Sequence, residues 1–132
     1  MSAAVDCYNI VSARTLLSIG AHDLDHLDLP ITLRRIVDTD FFQPLGTGET
    51  QRLTGEYGYV DKNGYVICRL DVLQCEWSKV TKDTRSAAFF LQGNRRLTSA
   101  TLLKGSWLLA EMLTKFCEEP NQAIYPLSNS PP

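Results

Sequence analysis

The sequence predicts a single α+β domain. Helical patterns lie near both ends of the chain, and short strand patterns with turn signals lie between them. A helix, then several strands, then a helix is an order typical of the α+β class. The 132 residues suffice for one domain with a sizeable core, and the 44% of apolar residues is ordinary for a globular protein. We therefore expect one domain over residues 1–119 and a flexible, Pro-, Asn- and Ser-rich tail over residues 120–132.

The first predicted helix covers residues 2–17. Ser2 is a candidate N-cap, and the apolar residues from Ala4 to Leu16 approximate helical spacing. Gly20 follows closely, and we expect it to be the left-handed residue that ends this helix.

The next segment contains two histidines and two aspartates within residues 22–26. These residue types occur in metal and acid–base sites, but His22 and His26 would share a face only on a helix. A third protein ligand is not evident nearby, and the aspartates equally suit the cap of a short helical turn. The sequence therefore favours a capped turn, and we expect neither a metal nor another cofactor.

The middle of the chain carries four strand predictions. They cover residues 31–37, 41–45, 57–60 and 65–70. The last two flank Asp61-Lys62-Asn63-Gly64, and its Asn-Gly pair predicts a hairpin turn because both residues tolerate positive φ. Arg69 ends the second hairpin strand, where it is either exposed or a buried arginine paired with a carboxylate.

A polar bend and an apolar strand follow between Glu76 and Gln92. The bend is rich in Ser, Thr and Asp, which bond their own neighbouring backbone, so a self-satisfied turn is the simplest interpretation. The rim of a binding site is the alternative. The strand over Ala87–Leu91 is expected to be central and buried. A final helix over Ser99–Cys117 is predicted, with Thr98 as its N-cap.

Net charge, the length of apolar runs and the cysteine pattern argue against several classes of protein. The net charge of −2 argues against a general nucleic-acid coat, although Arg34-Arg35 and Arg95-Arg96 form local basic pairs. No apolar run reaches membrane-spanning length, and the start lacks a signal-peptide pattern, so we expect a cytoplasmic protein without a membrane partner. The four cysteines lack metal spacing and are interpreted as small buried side chains in a reducing compartment.

Several short segments carry a family resemblance over most of the chain. They are Tyr8–Ser12, Leu16-Leu17, Gly20–Asp25, Ile31–Arg35, Phe42–Gly46, Gly55-Glu56, Tyr59–Asp61, Val66–Arg69 and Ser78–Thr84. In order and spacing they resemble the editing domain of the bacterial phenylalanyl-tRNA synthetase beta subunit, and in particular small stand-alone proteins that carry this domain. The resemblance implies a layered, β-sandwich-like core flanked by helices, a fold to which the C-terminal domain of tRNA-lysidine synthetase is similar.

The resemblance also implies a function. In the synthetase, this domain hydrolyses tyrosine wrongly attached to the tRNA for phenylalanine, through an activated water and without a nucleophilic residue. The residue-by-residue comparison departs from that pattern at three places. The family's His falls on Gly20, its Gly-Gly pair on Gln74-Cys75, and the Glu that reads the tyrosine hydroxyl on Phe90. Loss of that acceptor removes the means of preferring tyrosine over phenylalanine.

We expect six polar residues to line a pocket because of their places in the shared motifs. These are Asn9, His22, Glu56, Arg69, Thr81 and Thr84. The arginine pairs, Arg34, Arg35, Arg95 and Arg96, are the expected RNA contacts. No catalytic residue is assigned.

Three functions remain open at the level of sequence. The first is a tRNA-associated module, either a trans-acting aminoacyl-tRNA deacylase with a degenerate pocket or a domain that holds aminoacyl-tRNA. The second is a non-catalytic module that binds an amino-acid-like small molecule or a protein partner. The third is a hydrolase on another substrate with His22 or His26 as base. Because the chain begins where the editing-like core of related proteins begins, a homodimer that covers an exposed face is a further expectation.

Overall fold

The computed structural model describes residues 2–70, 73–118 and 120–126. The helices and strands in these ranges are α1 Ala3–Thr15, β1 Ser18–Asp23, β2 Thr32–Arg35, β3 Tyr57–Val60, β4 Val66–Arg69, β5 Ala87–Gln92 and α2 Ser99–Phe116. A 3₁₀ turn, Leu24–His26, follows β1. The predicted α+β class is confirmed. Neither of the helices in the described ranges has the length and apolar character needed to cross a membrane.

The chain divides into two compact units. The terminal unit holds the described residues up to Ile19 and from Leu91 on, and the central unit holds Gly20–Phe90. The chain passes from one unit to the other within β1 and again within β5. The division into a domain over residues 1–119 and a tail over residues 120–132 stays a prediction, and residues 119 and 127–132 lie outside the described ranges.

Helix α1 ends earlier than the sequence predicts. Leu16 has the left-handed φ of 59°, and its amide donates to the Ser12 carbonyl at 2.8 Å. Gly20 lies within β1, so its prediction as the helix-ending residue was wrong. The Ser12 hydroxyl explains the early end because it donates to the Leu17 carbonyl at 2.7 Å and so satisfies a backbone group beyond the helix. Ser2 is confirmed at the N-cap position, without a side-chain cap bond.

Helix α2 begins as predicted and packs against α1 in the terminal unit. The Thr98 hydroxyl accepts a hydrogen bond from the Thr101 amide at 3.2 Å, which confirms Thr98 as the N-cap. Gly105 lies inside the helix, where glycine costs about 1 kcal/mol relative to alanine. Packing explains the glycine, since a β-carbon at Gly105 would overlap Cδ1 of the buried Leu17.

Strands β2, β3 and β4 form an antiparallel sheet in the central unit, with β3 in the middle. Leu33 pairs with Tyr59, Tyr59 pairs with Cys68, and the register shifts between Tyr59 and Val60. The predicted hairpin is confirmed: the Asp61 carboxylate accepts bonds from the Asn63 and Tyr65 amides, at 2.8 and 2.9 Å. The core around this sheet consists of Leu27, Ile36, Phe42, Leu53, Val60, Val66, Ile67 and Cys75.

The strand predicted over residues 41–45 was wrong. These residues form only isolated bridges, in which Phe41 faces Tyr65, Phe42 faces Gln51, and Pro44 faces Cys75. Because each bridge goes to a different segment, no continuous ladder forms. Phe42 is nevertheless fully buried, so the apolar run was a core signal rather than a strand signal.

Strands β1 and β5 pair as a two-stranded sheet. The sequence missed β1, because its polar residues were interpreted as a turn, and only the 3₁₀ turn after it matches that prediction. Strand β5 was predicted to be central and buried, but every position in it is half-buried. This correction has a simple physical reason: of the described strands, only β1 pairs with β5, and that leaves its other edge without a sheet partner.

Candidate functional site

The centre of the candidate site is His22, which is buried in β1. Its Nδ1 is hydrogen-bonded to the Ser78 hydroxyl at 2.7 Å. That hydroxyl is in turn hydrogen-bonded to the Cys75 sulfur at 2.9 Å. Imidazole, hydroxyl and thiol therefore form a continuous buried chain, which we call the His22 cluster.

The His22 cluster is neutral near pH 7. Burial lowers the pKa of His22 from 6.5 to about 4, and burial raises the pKa of the Cys75 thiol. A nucleophilic thiolate is consequently disfavoured, and the imidazole is a weak base. Within the described ranges, Nε2 of His22 has no hydrogen-bond partner, and the Phe90 ring stands edge-on to the imidazole at 5.6 Å.

Gly20 and Gln74 complete the surroundings of the imidazole. A β-carbon added at Gly20 would lie 2.8 Å from the Gln74 side-chain nitrogen and 4.0 Å from His22 Nε2. Glycine at this position thus leaves space for the Gln74 amide beside the histidine. The centroid of the Tyr59 ring, from β3, lies 5.1 Å from the centroid of the Phe90 ring.

A second polar group lies directly next to His22 in sequence. The Asp23 carboxylate accepts bonds from the Thr84 hydroxyl at 2.7 Å and from the Asp25 amide at 3.0 Å. Burial alone would raise the pKa of Asp23, but these hydrogen bonds and the nearby His26 hold it below the ordinary value. Asp23 is therefore ionised near pH 7.

The threonine bend satisfies its own backbone, as the simplest interpretation of the sequence predicts. The Thr84 hydroxyl accepts from the Thr81 amide at 2.9 Å, and the Thr81 hydroxyl accepts from the Asp83 amide at 3.2 Å. The bond from Thr84 to Asp23 goes beyond that prediction, because it anchors the bend to the end of β1. The Asp23 amide adds a second anchor by donating to the Ser78 carbonyl at 2.8 Å.

Comparison with known families identifies the domain. A model of the B3/4 domain family matches residues 1–117. The chain belongs to the B3/4 domain family. This is the editing-type domain of the phenylalanyl-tRNA synthetase beta subunit, so the resemblance seen in the sequence is confirmed.

The fold of this B3/4 domain is also seen in a solved structure. The chain is similar to an N-terminal fragment of the phenylalanyl-tRNA synthetase beta subunit from Pyrococcus horikoshii, with a TM-score of 0.71 and 16% sequence identity. The similarity covers 86% of this chain and 39% of the fragment, so the chain spans well under half of the fragment's length. No curated protein matches the chain.

The residues predicted to line a pocket lie in three places. His22 and Thr84 come together through Ser78 and Asp23, in the central unit. Glu56 and Arg69 form an ion pair of 2.8 Å, which agrees with a half-buried arginine paired with a carboxylate. Thr81 is exposed in the bend, and Asn9 is exposed on α1 in the terminal unit. The pocket formed by all six residues stays a prediction.

The arginines of the B3/4 domain differ in how far they are engaged. Arg34 binds both carboxylate oxygens of Asp40, at 2.7 and 2.8 Å. Its role is therefore structural. Arg35 is exposed and lies over the Tyr57 ring, 5.5 Å from its centroid. Arg95 and Arg96 are exposed in the terminal unit, and their contact with RNA stays a prediction, as does that of Arg34 and Arg35.

The sequence did not single out the pair formed by Ser78 and Cys75. Ser78 was one polar residue among many in the bend, and Cys75 was interpreted as a small buried side chain at one of the departures from the editing pattern. The two residues are three positions apart, and the fold places the thiol and the hydroxyl 2.9 Å apart. No group of three metal-binding side chains is found in the described ranges.

Proposed function

We propose that this B3/4 domain recognises the aminoacyl end of a charged tRNA without hydrolysing it. One observation carries the proposal. The three places where the sequence departs from the editing pattern, Gly20, Gln74-Cys75 and Phe90, converge around His22. The region around His22, where these departures lie, thus contains neutral groups.

The chemistry of this region supports binding better than hydrolysis. Water activation requires a base with a pKa near the working pH, whereas the pKa of His22 is lowered to about 4 by burial. The rings of Phe90 and Tyr59 are half-buried, and they offer an apolar surface to an amino-acid side chain. A phenolic hydroxyl would meet no carboxylate at position 90, so tyrosine and phenylalanine should be held about equally.

Exposed arginines are candidates for contact with the tRNA backbone. Arg35 lies in the central unit, and Arg95 and Arg96 lie in the terminal unit. Binding through such residues releases counterions, so it weakens as the salt concentration rises.

The test measures retention and deacylation in one assay. The full chain is incubated with Phe-tRNA and with Tyr-tRNA, and filter retention and ester loss are followed from low to high salt. We expect retention of both at low salt, with ester loss equal to that of a control without protein. Absence of retention at low salt would overturn the proposal, and hydrolysis of either ester would replace it with a trans-acting deacylase.

A pair of variants locates the binding region. Phe90→Glu places a carboxylate beside the imidazole of His22, whereas Phe89→Glu makes the same change at the neighbouring residue of β5. We expect Phe90→Glu to favour Tyr-tRNA over Phe-tRNA by roughly 10-fold or more, because it supplies a hydroxyl acceptor. Phe89→Glu should leave the ratio near one. Equal ratios for both variants would show that the aminoacyl group does not bind in this region.

A deacylase is the second candidate, and the Asp23–Thr84 pair favours it. An ionised carboxylate bound to a hydroxyl could orient a water molecule at the rim of the same region. If the assay shows ester loss, Thr84→Val should abolish it while Thr81→Val should not. Binding of a free amino acid, of a protein partner or of a second copy of the chain would instead be found in the absence of tRNA, in a separate binding experiment.

A further inference from the structure

Three aromatic rings lie together at the surface of the central unit, and none of them belongs to the His22 cluster. Phe41 and Tyr65 stand edge to face, with their ring centroids 5.4 Å apart. The centroid of the Trp77 ring lies 6.0 Å from that of Phe41 and 5.1 Å from that of Tyr65. The three rings therefore pack against one another, and we call them the aromatic triad.

The aromatic triad is held in place by backbone pairing and by the core. The Phe41 amide donates to the Gly64 carbonyl at 2.9 Å, and the Phe41 carbonyl accepts from the Val66 amide at 2.8 Å. These two bonds fix Phe41 beside Tyr65. Trp77 packs against the buried core of the central unit. The surface formed by the rings is consequently preformed.

Solvent reaches a large part of this surface. Phe41 is 42% exposed and Tyr65 is 40% exposed, whereas Trp77 is half-buried. A single exposed apolar side chain is ordinary, but a group of packed, exposed rings is a feature of interaction sites. Rings at these separations are in direct contact, so they leave no room for an ion between them. A ligand would therefore lie on the outside of the triad, where a flat group can stack on a ring.

The charged groups beside the triad favour an anionic ligand over a cationic one. The two carboxylates next to the triad in sequence are already engaged, because Asp40 binds Arg34 through both oxygens and Glu76 pairs with Lys79. Lys62, in the turn of the hairpin, is exposed and has no ion pair within the described ranges. A ligand that joins a flat ring to a phosphate would thus find both a stacking surface and an available ammonium group.

We propose that the aromatic triad stacks an unpaired nucleobase of RNA, with Lys62 at the adjoining phosphate. Every base has a flat π-face, and unpaired bases of single-stranded RNA stack on aromatic side chains. The source of the strand rests on the proposed function, because the aminoacyl end of a tRNA is single-stranded. The triad then binds the nucleotide part of the ligand, and the region around His22 binds the aminoacyl part.

The test uses two short probes that carry no aminoacyl group. One is a labelled single-stranded RNA of six adenosines, and the other is a strand of the same length and charge in which every site is abasic. Fluorescence anisotropy measures the affinity of the full chain for each probe at low salt. We expect the abasic strand to bind roughly 5-fold or more weakly, because it lacks base–aromatic stacking. Equal affinities would overturn the proposal, since phosphate contacts alone would then explain binding.

Variants of the triad locate the stacked base. Tyr65→Leu keeps an apolar side chain but removes the ring, so the affinity for the RNA probe should fall by roughly 5-fold or more. Tyr65→Phe keeps the ring and should bind like the unaltered chain. Tyr125→Leu makes the same change at an exposed tyrosine of the terminal unit and should have no effect. Phe41→Leu replaces Tyr65→Leu if a thermal melt shows that the latter is unfolded, and unchanged affinity in the folded variant would overturn the proposal.

Tryptophan fluorescence gives an independent readout. The chain has two tryptophans, and Trp107 lies on α2 in the terminal unit, so Trp107→Phe leaves only Trp77. We expect the RNA probe to quench the Trp77 emission and the abasic strand to leave it nearly unchanged. Quenching by tetramethylammonium chloride but not by RNA would show a cation site. A dimer that Tyr65→Leu dissociates would show a second copy of the chain on the triad. Either result would overturn the proposal.

Retention of Phe-tRNA separates this inference from the proposed function. If Tyr65→Leu retains Phe-tRNA as well as the unaltered chain does, stacking on the triad is wrong and the proposed function stands. If the unaltered chain does not retain Phe-tRNA but binds the RNA probe through Tyr65, the proposed function is wrong and stacking on the triad stands.

Discussion

His22 and Asp23 are consecutive residues of β1, yet they lie in opposite chemical environments. Successive side chains of a strand point to opposite faces, so one strand can place two neighbouring residues in different environments. His22 is neutral and is bonded to a hydroxyl beside an aromatic ring. Asp23 is ionised and is held by the Thr84 hydroxyl and a backbone amide.

The difference between the two environments assigns separate roles to His22 and Asp23. The places where the chain departs from the editing pattern surround the neutral group, so the change in chemistry is concentrated at His22. The ionised group instead anchors the threonine bend to the end of β1. Our central claim is that the region where the chain departs from the editing pattern is a neutral cluster around a buried imidazole, beside an ionised group that anchors the bend.

The largest expected effect is a loss of stability on acidification. The folded-state pKa of His22 is lowered to about 4 from 6.5, so between these values the unfolded chain takes up a proton that the folded chain does not. The free energy of unfolding should therefore fall by about 3 kcal/mol as the pH drops from 6.5 to 4. Urea denaturation at several pH values measures it.

Two matched histidine variants test whether His22 causes this loss of stability. His22→Gln should flatten the pH dependence over this range, and the exposed His26→Gln should leave it largely unchanged. The stabilising effect of Asp23 appears separately, because its lowered pKa means that this contribution is lost only at more acidic pH. An unchanged slope in His22→Gln would contradict the assignment.

Removal of the hydroxyl inside the His22 cluster should have the next largest effect. Ser78→Ala leaves His22 Nδ1 and the Cys75 thiol without their shared partner. A buried polar group without its partner costs about 2 kcal/mol, and we expect the free energy of unfolding to fall by that amount. The control is the exposed Ser86→Ala, with a change below about 0.5 kcal/mol. Equal effects in the two variants would show that the cluster contributes little.

The smallest effect is expected on the ionised side. Thr84→Val keeps the shape of the side chain but removes its bonds to Asp23 and to the Thr81 amide. Stability should fall by about 1 kcal/mol at neutral pH, and the pKa of Asp23 should rise towards its ordinary value. Thr84→Ser should behave like the unaltered chain. A carboxyl titration by NMR measures the pKa, and an unchanged value in Thr84→Val would contradict the proposed link.

The sequence predicted those features that depend on local chemistry. The hairpin at Asp61–Gly64, the Thr98 cap and the self-bonded threonine bend all follow from short-range hydrogen bonds. Strand β1 could not be predicted in this way, because it mixes polar residues with Ile19, Gly20 and Ala21 and its partners are distant in sequence. The hydrogen bonds from His22 to Ser78 and between Thr84 and Asp23 form only in the folded chain.

The same limit applies to the buried neutral cluster. His22 is distant in sequence from Cys75 and Ser78 and gave no local pattern with them, whereas the family resemblance did identify positions around it. It marked Gly20, Gln74-Cys75 and Phe90 as departures from the editing pattern, and the fold places them around one imidazole. What it could not predict was the lowered pKa of His22, which depends on burial.

The most direct test of the central claim is an NMR titration of the His22 imidazole in the full chain. The His22→Gln variant identifies its signals, and His26 gives an exposed ring in the same sample for comparison. We expect His22 to stay neutral from pH 8 to about pH 5, with a midpoint near its pKa of about 4. A midpoint at about 6.5 or above would show that the ring is solvated or paired with a charge, and would contradict a neutral, buried cluster.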